Sequence, residues 1–209
     1  MKKIVFNNSI EDSLISRAAS ILHNNGILIH PTENLYGFGA NIYDTSSIHK
    51  IMEFKQRKKN TKGFIVLVSD YIQLDRLIGR ISRKEKNLMQ KYWPGPLTIL
   101  LRAKKEYWRN PVCHKKKFAI RMVGNEITRA ILKQVNVPII STSINISGKQ
   151  SITDMKQIQH KYGNKVQGMV IDNIHTFSEK PSTIVKVFHG KVIVIRHGAV
   201  KKPNPKLRL

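Results

Sequence analysis

Residues 138–148 read PIISTSINISG, and this alternation restricts the folds open to the chain more than any other segment. Successive side chains of an extended backbone point to opposite faces. Ser141, Ser143, Asn145 and Ser147 therefore share one face, and Ile140, Thr142, Ile144 and Ile146 share the other. Pro138 and Gly148 bound the run. Such a strand needs an apolar layer behind it and a polar space in front. A half-exposed edge strand would read the same way. The reading we favour is a central strand whose hydroxyls and amide line a site for a polar small molecule.

The rest of the chain offers a sheet for that strand to join. Apolar runs at 27–30, 64–68, 97–101, 118–123, 166–171 and 184–187 have the length of buried strands. Ser9 with Asp12 three residues on has a capping-box pattern, and Leu14, Ile15, Ala18, Ala19 and Leu22 follow at helical spacing up to Gly26. Further helices are expected from about Ser46, over 126–134 behind Asn125, and from a cap at Thr153 to Gly163. His189-Gly190 between two apolar pairs is a hairpin turn. Strands and helices intermix, with at least one antiparallel pair. The expected class is α/β with α+β character: a single domain over 1–198 with a mixed parallel and antiparallel sheet and flanking helices. Residues 199–209 are basic, contain Pro203 and Pro205, and are expected as a tail off the core.

Composition narrows the function classes. No apolar run reaches the roughly 18 residues that span a bilayer. The apolar start MKKIVF ends at Asn7, Asn8 and Ser9, which is too short for a secretory core. The single cysteine, Cys113, excludes an internal disulfide framework, so a cytoplasmic, non-membrane protein is expected. The formal charge of +24 suggests a polyanion, either nucleic acid or a phosphate-rich substrate. Lysine, isoleucine and asparagine are all abundant, so AT-rich coding accounts for part of that charge. The remainder favours weak, salt-sensitive contact with RNA.

Several other segments carry candidate chemistry. In HPTENLYGFG, from His30 to Gly39, a strand stops at a proline and opens into a polar loop. Position 42 is Ile, so the dinucleotide fingerprint is incomplete. In KQRKKNTKG, Lys55 and Arg57 meet one anion only if the preceding helix ends near Phe54. Lys62 stands just before a strand, whereas Lys58 and Lys59 read as a solvated basic loop. Arg121 lies in the apolar strand FAIRMV and needs an anion or solvent, with a carboxylate clamp its natural use. Ser182 in PSTIVKV and Arg196 in IRHG sit at strand ends. Cys113 and His114 lack metal-ligand spacing, and Tyr92 and Trp93 read as turn packing.

These segments occur in one order and register. PTENLYGFG, KQR, KYWPGPLTILL, the Arg121 strand, STSINISG, PSTIV and IRHG together resemble the YrdC/TsaC family over about residues 21–198. The resemblance implies a twisted sheet with a basic concave face. It also implies synthesis of threonylcarbamoyl-AMP from L-threonine, bicarbonate or CO2, and ATP, with release of pyrophosphate, as a step in tRNA modification beside the anticodon. The family's lysine-x-arginine signature falls on Lys55 and Arg57, and its serine-x-asparagine signature on Ser143 and Asn145. Its proline-threonine loop falls on Thr32 and its late arginine on Arg196. Where the family usually has proline and alanine, this chain has Lys58 and Ile144, and its loop to Lys62 looks about one residue longer.

Gathering several anions around a phosphoryl transfer calls for positive charge and oriented donors. Lys55, Arg57, Ser143 and Asn145 are the expected catalytic set. Thr32, Arg121 and Ser143 are expected around threonine, and Lys55, Arg57, Lys62, Ser141, Asn145, Ser182 and Arg196 around ATP. Ser141, Ser143 and Asn145 are expected as donors. No protein metal site is expected, and Mg2+ is expected to enter with the ATP phosphates. Glu33 and Asp172 are the nearest candidate bases or magnesium ligands. Downstream threonylcarbamoyl-transferase proteins would take the product. The alternative is a non-catalytic RNA-binding module using the basic face. A carbamoyl-transfer domain from a larger maturation enzyme is a third reading.

Overall fold

The computed structural model describes residues 1–56, 64–147, 150–178 and 180–204. Among them ten strands form one sheet: β1 (Lys2–Phe6), β2 (Leu28–His30), β3 (Gly37–Asn41), β4 (Ile65–Val68), β5 (Leu97–Arg102), β6 (Lys117–Met122), β7 (Ile139–Ser143), β8 (Gly168–Asp172), β9 (Thr183–Phe188) and β10 (Lys191–Arg196). The helices are α1 (Asp12–His23), α2 (Thr45–Phe54), α3 (Tyr71–Leu77), α4 (Arg83–Tyr92), α5 (Glu126–Val135) and α6 (Met155–Tyr162). Strand order is β1-β8-β2-β3-β7-β4-β6-β5-β9-β10. β8 runs parallel to β1 and β2, β4 to β6, and β5 to β9; the other pairs are antiparallel. The mixed sheet with flanking helices is the class expected. No described helix is long and apolar enough to cross a membrane.

Register assigns the two faces. Directly paired residues point the same way. One face carries Phe38, Val66, Val68, Ile99, Ile120, Ile140 and Val185 into a large core that includes residues of α2, α3, α4 and α6. On the other face, Leu28, Leu67, Ile139 and Val170 join Ile15, Ala18 and Leu22 of α1 and Ile127, Ile131 and Leu132 of α5 in a second core. That second core covers only part of its face. Beyond it, Gly37, Ile65, Ala119, Arg121, Ser141 and Ser143 line an open cavity.

Several boundaries differ from the sequence reading. The Ser9 capping box does not form: Glu11 is the N-cap of α1 and makes no side-chain cap bond. Gly26 was the expected helix stop, but Asn25 takes the left-handed conformation, at φ 57°. Asp154 rather than Thr153 caps α6, accepting from the Gln157 N–H. Asn125 caps α5 as expected, accepting from the Thr128 N–H. The hairpin turn is as expected, with His189 and Gly190 at φ 44° and 68°. MKKIVF is an outer strand paired with β8, burying Ile4 and Phe6. The start of the tail is not off the core. Ala199 N–H donates to Pro181 O, Val200 and Thr183 exchange two hydrogen bonds, and Asn204 N–H donates to the Tyr92 hydroxyl.

Phe38 is fully buried at the centre of the larger core. Its ring meets Tyr162 edge-on at 4.8 Å and Phe54 at 5.5 Å. Phe38→Ala should therefore lower unfolding free energy by about 3–5 kcal/mol, through lost burial and the cavity left behind. Urea denaturation checks this, with an unchanged m-value expected.

Candidate active site

The cavity on the open half of the sheet has a volume of about 610 Å³. Of the ten expected site residues, six line it: Thr32, Arg121, Ser141, Ser143, Ser182 and Arg196. Lys55 and Asn145 join this group through Ser143. Arg57 and Lys62, with Lys58 and Lys59, lie outside the described residues. Antiparallel pairing of β7 with β3 sets Ser141 opposite Gly39 and Ser143 opposite Gly37. Pairing with β4 sets Ser141 opposite Ile65, and Leu67 lies opposite Arg121 of β6.

The strand alternation holds only to Ser143. There the chain leaves the sheet and bends, burying Ile144. The bend is held by Lys55. α2 ends at Phe54 with Lys55 as its C-cap, as required for Lys55 and Arg57 to meet one anion, but Arg57 lies outside the described residues. Lys55 is only 4% exposed, and its Nζ donates to Ser143 O at 2.7 Å, Asn145 O at 3.1 Å and Asn145 Oδ1 at 2.5 Å. A buried ammonium with three oxygen acceptors has all its donors matched. In this state Lys55 organises the serine-asparagine turn instead of presenting its charge to the cavity.

The serines are oriented differently from expectation. Ser143 Oγ–H donates to Asn145 Oδ1 at 2.8 Å. Ser141 Oγ lies 3.2 Å from His30 Nε2. His30 Nδ1 lies 3.0 Å from Pro31 O, which can only accept, so Nδ1 carries the proton and Nε2 accepts from Ser141. Both hydroxyl protons are thus turned away from the cavity. The two serines offer it lone pairs, where donors were expected, and the Asn145 amide oxygen is taken up by Lys55 and Ser143. The Thr32 hydroxyl was expected to face the ligand. It closes its own loop instead, donating to Leu35 O and accepting from the Asn34 and Leu35 N–H groups.

The cations are held in two ways. Arg121, 3% exposed, donates to Glu33 Oε2 at 2.9 Å and Asn34 Oδ1 at 3.1 Å. Its Nε and the Glu33 Oε1 are buried without a partner. The anion that its strand setting demanded is therefore supplied first by the protein, with one donor left over. Burial lowers the Arg121 pKa and the Glu33 charge opposes that shift. Arg196 clasps Ser182, donating from Nε and Nη2 to the backbone oxygen and from Nη2 to Oγ. Its pKa is lowered by burial and then by the charge of Arg121. Two guanidinium groups thus repel each other across one cavity, which an anion between them would relieve.

Neither candidate carboxylate is a free base. Glu33 Oε2 also accepts from the Gly124 N–H. Asp172 is buried and accepts from the Asn125 amide, the His175 ring, and the Ile174 and His175 N–H groups. Among the described residues no group of three metal-ligating side chains occurs. Trp93 is buried with its ring N–H on Leu97 O, which is a packing role. Sequence reasoning overlooked His30 and Asn34. The only signal for either was its place in the HPTEN segment.

Comparison with known proteins adds an independent line. A model of the Sua5/YciO/YrdC family, described as telomere recombination, matches residues 20–198. The threonylcarbamoyl-AMP synthase of Bacillus subtilis is 32% identical over 195 residues, covering 93% of this chain and 56% of that protein. That of Chromobacterium violaceum is 29% identical over 180 residues, covering 86% of this chain and 92% of that protein. The crystal structure of Pyrococcus abyssi Sua5 complexed with L-threonine superposes with a TM-score of 0.86 at 27% identity, over 95% of this chain and 58% of that one. The chain thus spans little more than half the length of the Bacillus and Pyrococcus relatives and nearly all of the Chromobacterium one.

The buried imidazole makes stability depend on pH. Burial holds the His30 pKa down to about 4 from 6.5, with the Arg121 charge adding to the effect and the Pro31 carbonyl opposing it. Between these values the unfolded chain binds the extra proton. The stabilisation is complete above 6.5 and is lost as pH falls toward 4. About 3 kcal/mol is at stake. Between pH 7 and pH 4, wild type should lose about that much more stability than His30→Phe in urea titrations. Equal losses would exclude His30 as the origin.

Proposed function

The chain belongs to the Sua5/YciO/YrdC family, and from that premise we propose that it joins L-threonine, bicarbonate or CO2, and ATP into threonylcarbamoyl-AMP with release of pyrophosphate. It is then an enzyme of the nucleotidyltransferase type. The observation that carries this reading is the cavity itself: two mutually repelling guanidinium groups above a floor of serine acceptors. A threonine zwitterion presents a carboxylate and an ammonium, which need one of each. A relative of the same fold was solved with threonine bound.

The residues divide the work by charge. Arg121 lines the cavity in a rigid setting, which suits the threonine carboxylate. Ser141 and Ser143 are acceptors for the amine and the β-hydroxyl. Thr32 contributes by closing the loop that carries Glu33 and Asn34, the two residues that aim Arg121. Once the amine has become a carbamate, its oxygen attacks the α-phosphate of ATP. The pyrophosphate leaving group and the transition state need cations, which Arg196, Arg57 and Lys62 are placed in this scheme to supply. Lys55 acts through the turn it holds. Asp172 and the Oε2 of Glu33 are engaged by other groups, and in this scheme Mg2+ travels on the ATP phosphates. The product is a mixed anhydride, suited to downstream threonylcarbamoyl-transferase proteins acting on tRNA in the cytoplasm.

Two measurements test this. Pyrophosphate release should require threonine, bicarbonate and ATP together; equal release without threonine removes the reading. Threonine should be the best substrate and serine next, weaker by about 1–3 kcal/mol for the lost methyl. Valine should fall far behind, because it leaves a buried acceptor unpaired. Valine matching serine would remove the hydroxyl contact from Ser143. Mutants of the basic segment separate the lysines. Arg57→Ala should weaken transition-state stabilisation by about 2–4 kcal/mol with the fold intact, and Lys55→Ala should lower both activity and melting temperature. Lys58→Ala should do little, and damage equal to that of Arg57→Ala would contradict the division of roles.

A further inference from the structure

His30 lies on β2, two strands from Ser141 on β7, yet its ring reaches the serine hydroxyl at 3.2 Å. The intervening strand β3 makes that reach possible. His30 pairs with Gly37, and Gly39 pairs with Ser141, so all four face the same side of the sheet. A Cβ on Gly39 would stand 2.8 Å from His30 Cδ2 and 3.2 Å from Nε2. A Cβ on Gly37 would stand 3.0 Å from Ser141 Oγ. The two glycines leave a trough in which the imidazole lies across the strand.

The far side of the ring is locked as well. Nδ1 meets Pro31 O, and Thr128 Oγ1 of α5 donates to that same carbonyl at 2.6 Å. Neither contact lets the ring turn over without burying an unpaired N–H. His30 is fully buried, but Ser141 keeps 7% exposure and lines the cavity. The imidazole therefore has one open polar contact, and that contact ends at the cavity floor.

We propose that His30 is a positioning residue for amino-acid binding: by accepting a hydrogen bond from the Ser141 hydroxyl it fixes Ser141 as an acceptor, aimed at the α-amine of the substrate. The inference rests on the threonine reading of the cavity and adds a residue to it. A freely rotating serine would spend part of its time presenting a proton to the ammonium, which repels it. The histidine removes that orientation. Its burial also keeps it neutral, so the acceptor persists across the working pH range.

The test separates this role from simple packing. Threonine affinity is measured by calorimetry on wild type, His30→Phe, His30→Gln, Ser141→Ala and the His30→Phe/Ser141→Ala double variant. Phe fills the ring volume without an acceptor, whereas the Gln amide oxygen reaches the Nε2 position. His30→Phe should weaken threonine binding about tenfold, the worth of one hydrogen bond. His30→Gln should recover most of it. In the Ser141→Ala background His30→Phe should add nothing, because the residue acts only through that hydroxyl. ATP affinity should stay within about twofold in His30→Phe and His30→Gln. Nitrogen-15 histidine NMR supplies a readout that needs neither ligand nor turnover: His30 should show Nδ1–H with bare Nε2, and Ser141→Ala should shift the Nε2 signal. Additive losses in the double variant, an Nε2–H tautomer, or a Gln variant as weak as Phe would overturn the proposal. Threonine binding without pyrophosphate release would instead overturn the synthase reading and leave this one standing.

Discussion

The antiparallel pairing of β7 with β3 on one side and β4 on the other decides which side chains reach the cavity. β7 is short, and its five residues divide between core and site. A slip of one residue against either neighbour would send Ile140 to the cavity and Ser141 into the larger core. The apolar residues prevent this. Ile140 is fully buried beside Phe38 and Val66, while Ile139 is buried in the second core. Burying these side chains contributes about 1.5–3 kcal/mol each. The hydroxyls follow passively, and the polar floor of the site is a consequence of where the isoleucines must go.

The same register explains how buried charge is tolerated. An isolated cation inside a protein is costly unless its donors are met. Lys55 spends its donors on the turn after β7, and Arg121 binds through Nη1 and Nη2 to the loop after β2, where Asn34 and Glu33 sit. Each cation therefore fixes one wall of the cavity. The Thr32 hydroxyl tightens the second of these loops from within. Rigidity at the walls comes from polar bonds, and rigidity of the floor comes from packing. Arg196 is bound to Ser182 and feels the charge of Arg121, which keeps a net demand for an anion in the space between.

Much of this was readable from residue order, and the exceptions share a cause. The amphipathic helices α1, α2 and α5 follow their apolar spacing, and the strands around Ile29, Val66, Ile99 and Ile120 follow their apolar runs. β3 was overlooked because GFGAN has two glycines, which weaken any strand signal. It is a strand because it is clamped between β2 and β7, and its glycines serve the ring that crosses it. β1 was overlooked because Lys2 and Lys3 hide a short alternating pattern. α4 carried a legible capping box in Ser82 and Glu85, but its body is highly charged. The strand expected over 138–143 ends at Ser143, but the extended alternation read on through 144–147 fails because local alternation does not record where a buried ammonium pulls the chain away.

The sequence by itself determined most of the strands, with β1 and β3 the exceptions, the two-sided character of β7, and the identities of the serines, arginines and threonine that meet at the cavity. Apolar periodicity is a local property, and side-chain chemistry travels with the residue. Tertiary structure alone decided the direction of each proton. Whether Ser141 donates or accepts depends on an imidazole 111 positions away. Whether Arg121 is free or paired depends on a carboxylate 88 positions away. Hydrogen-bond polarity is set by the partner, and only the folded sheet chooses the partner.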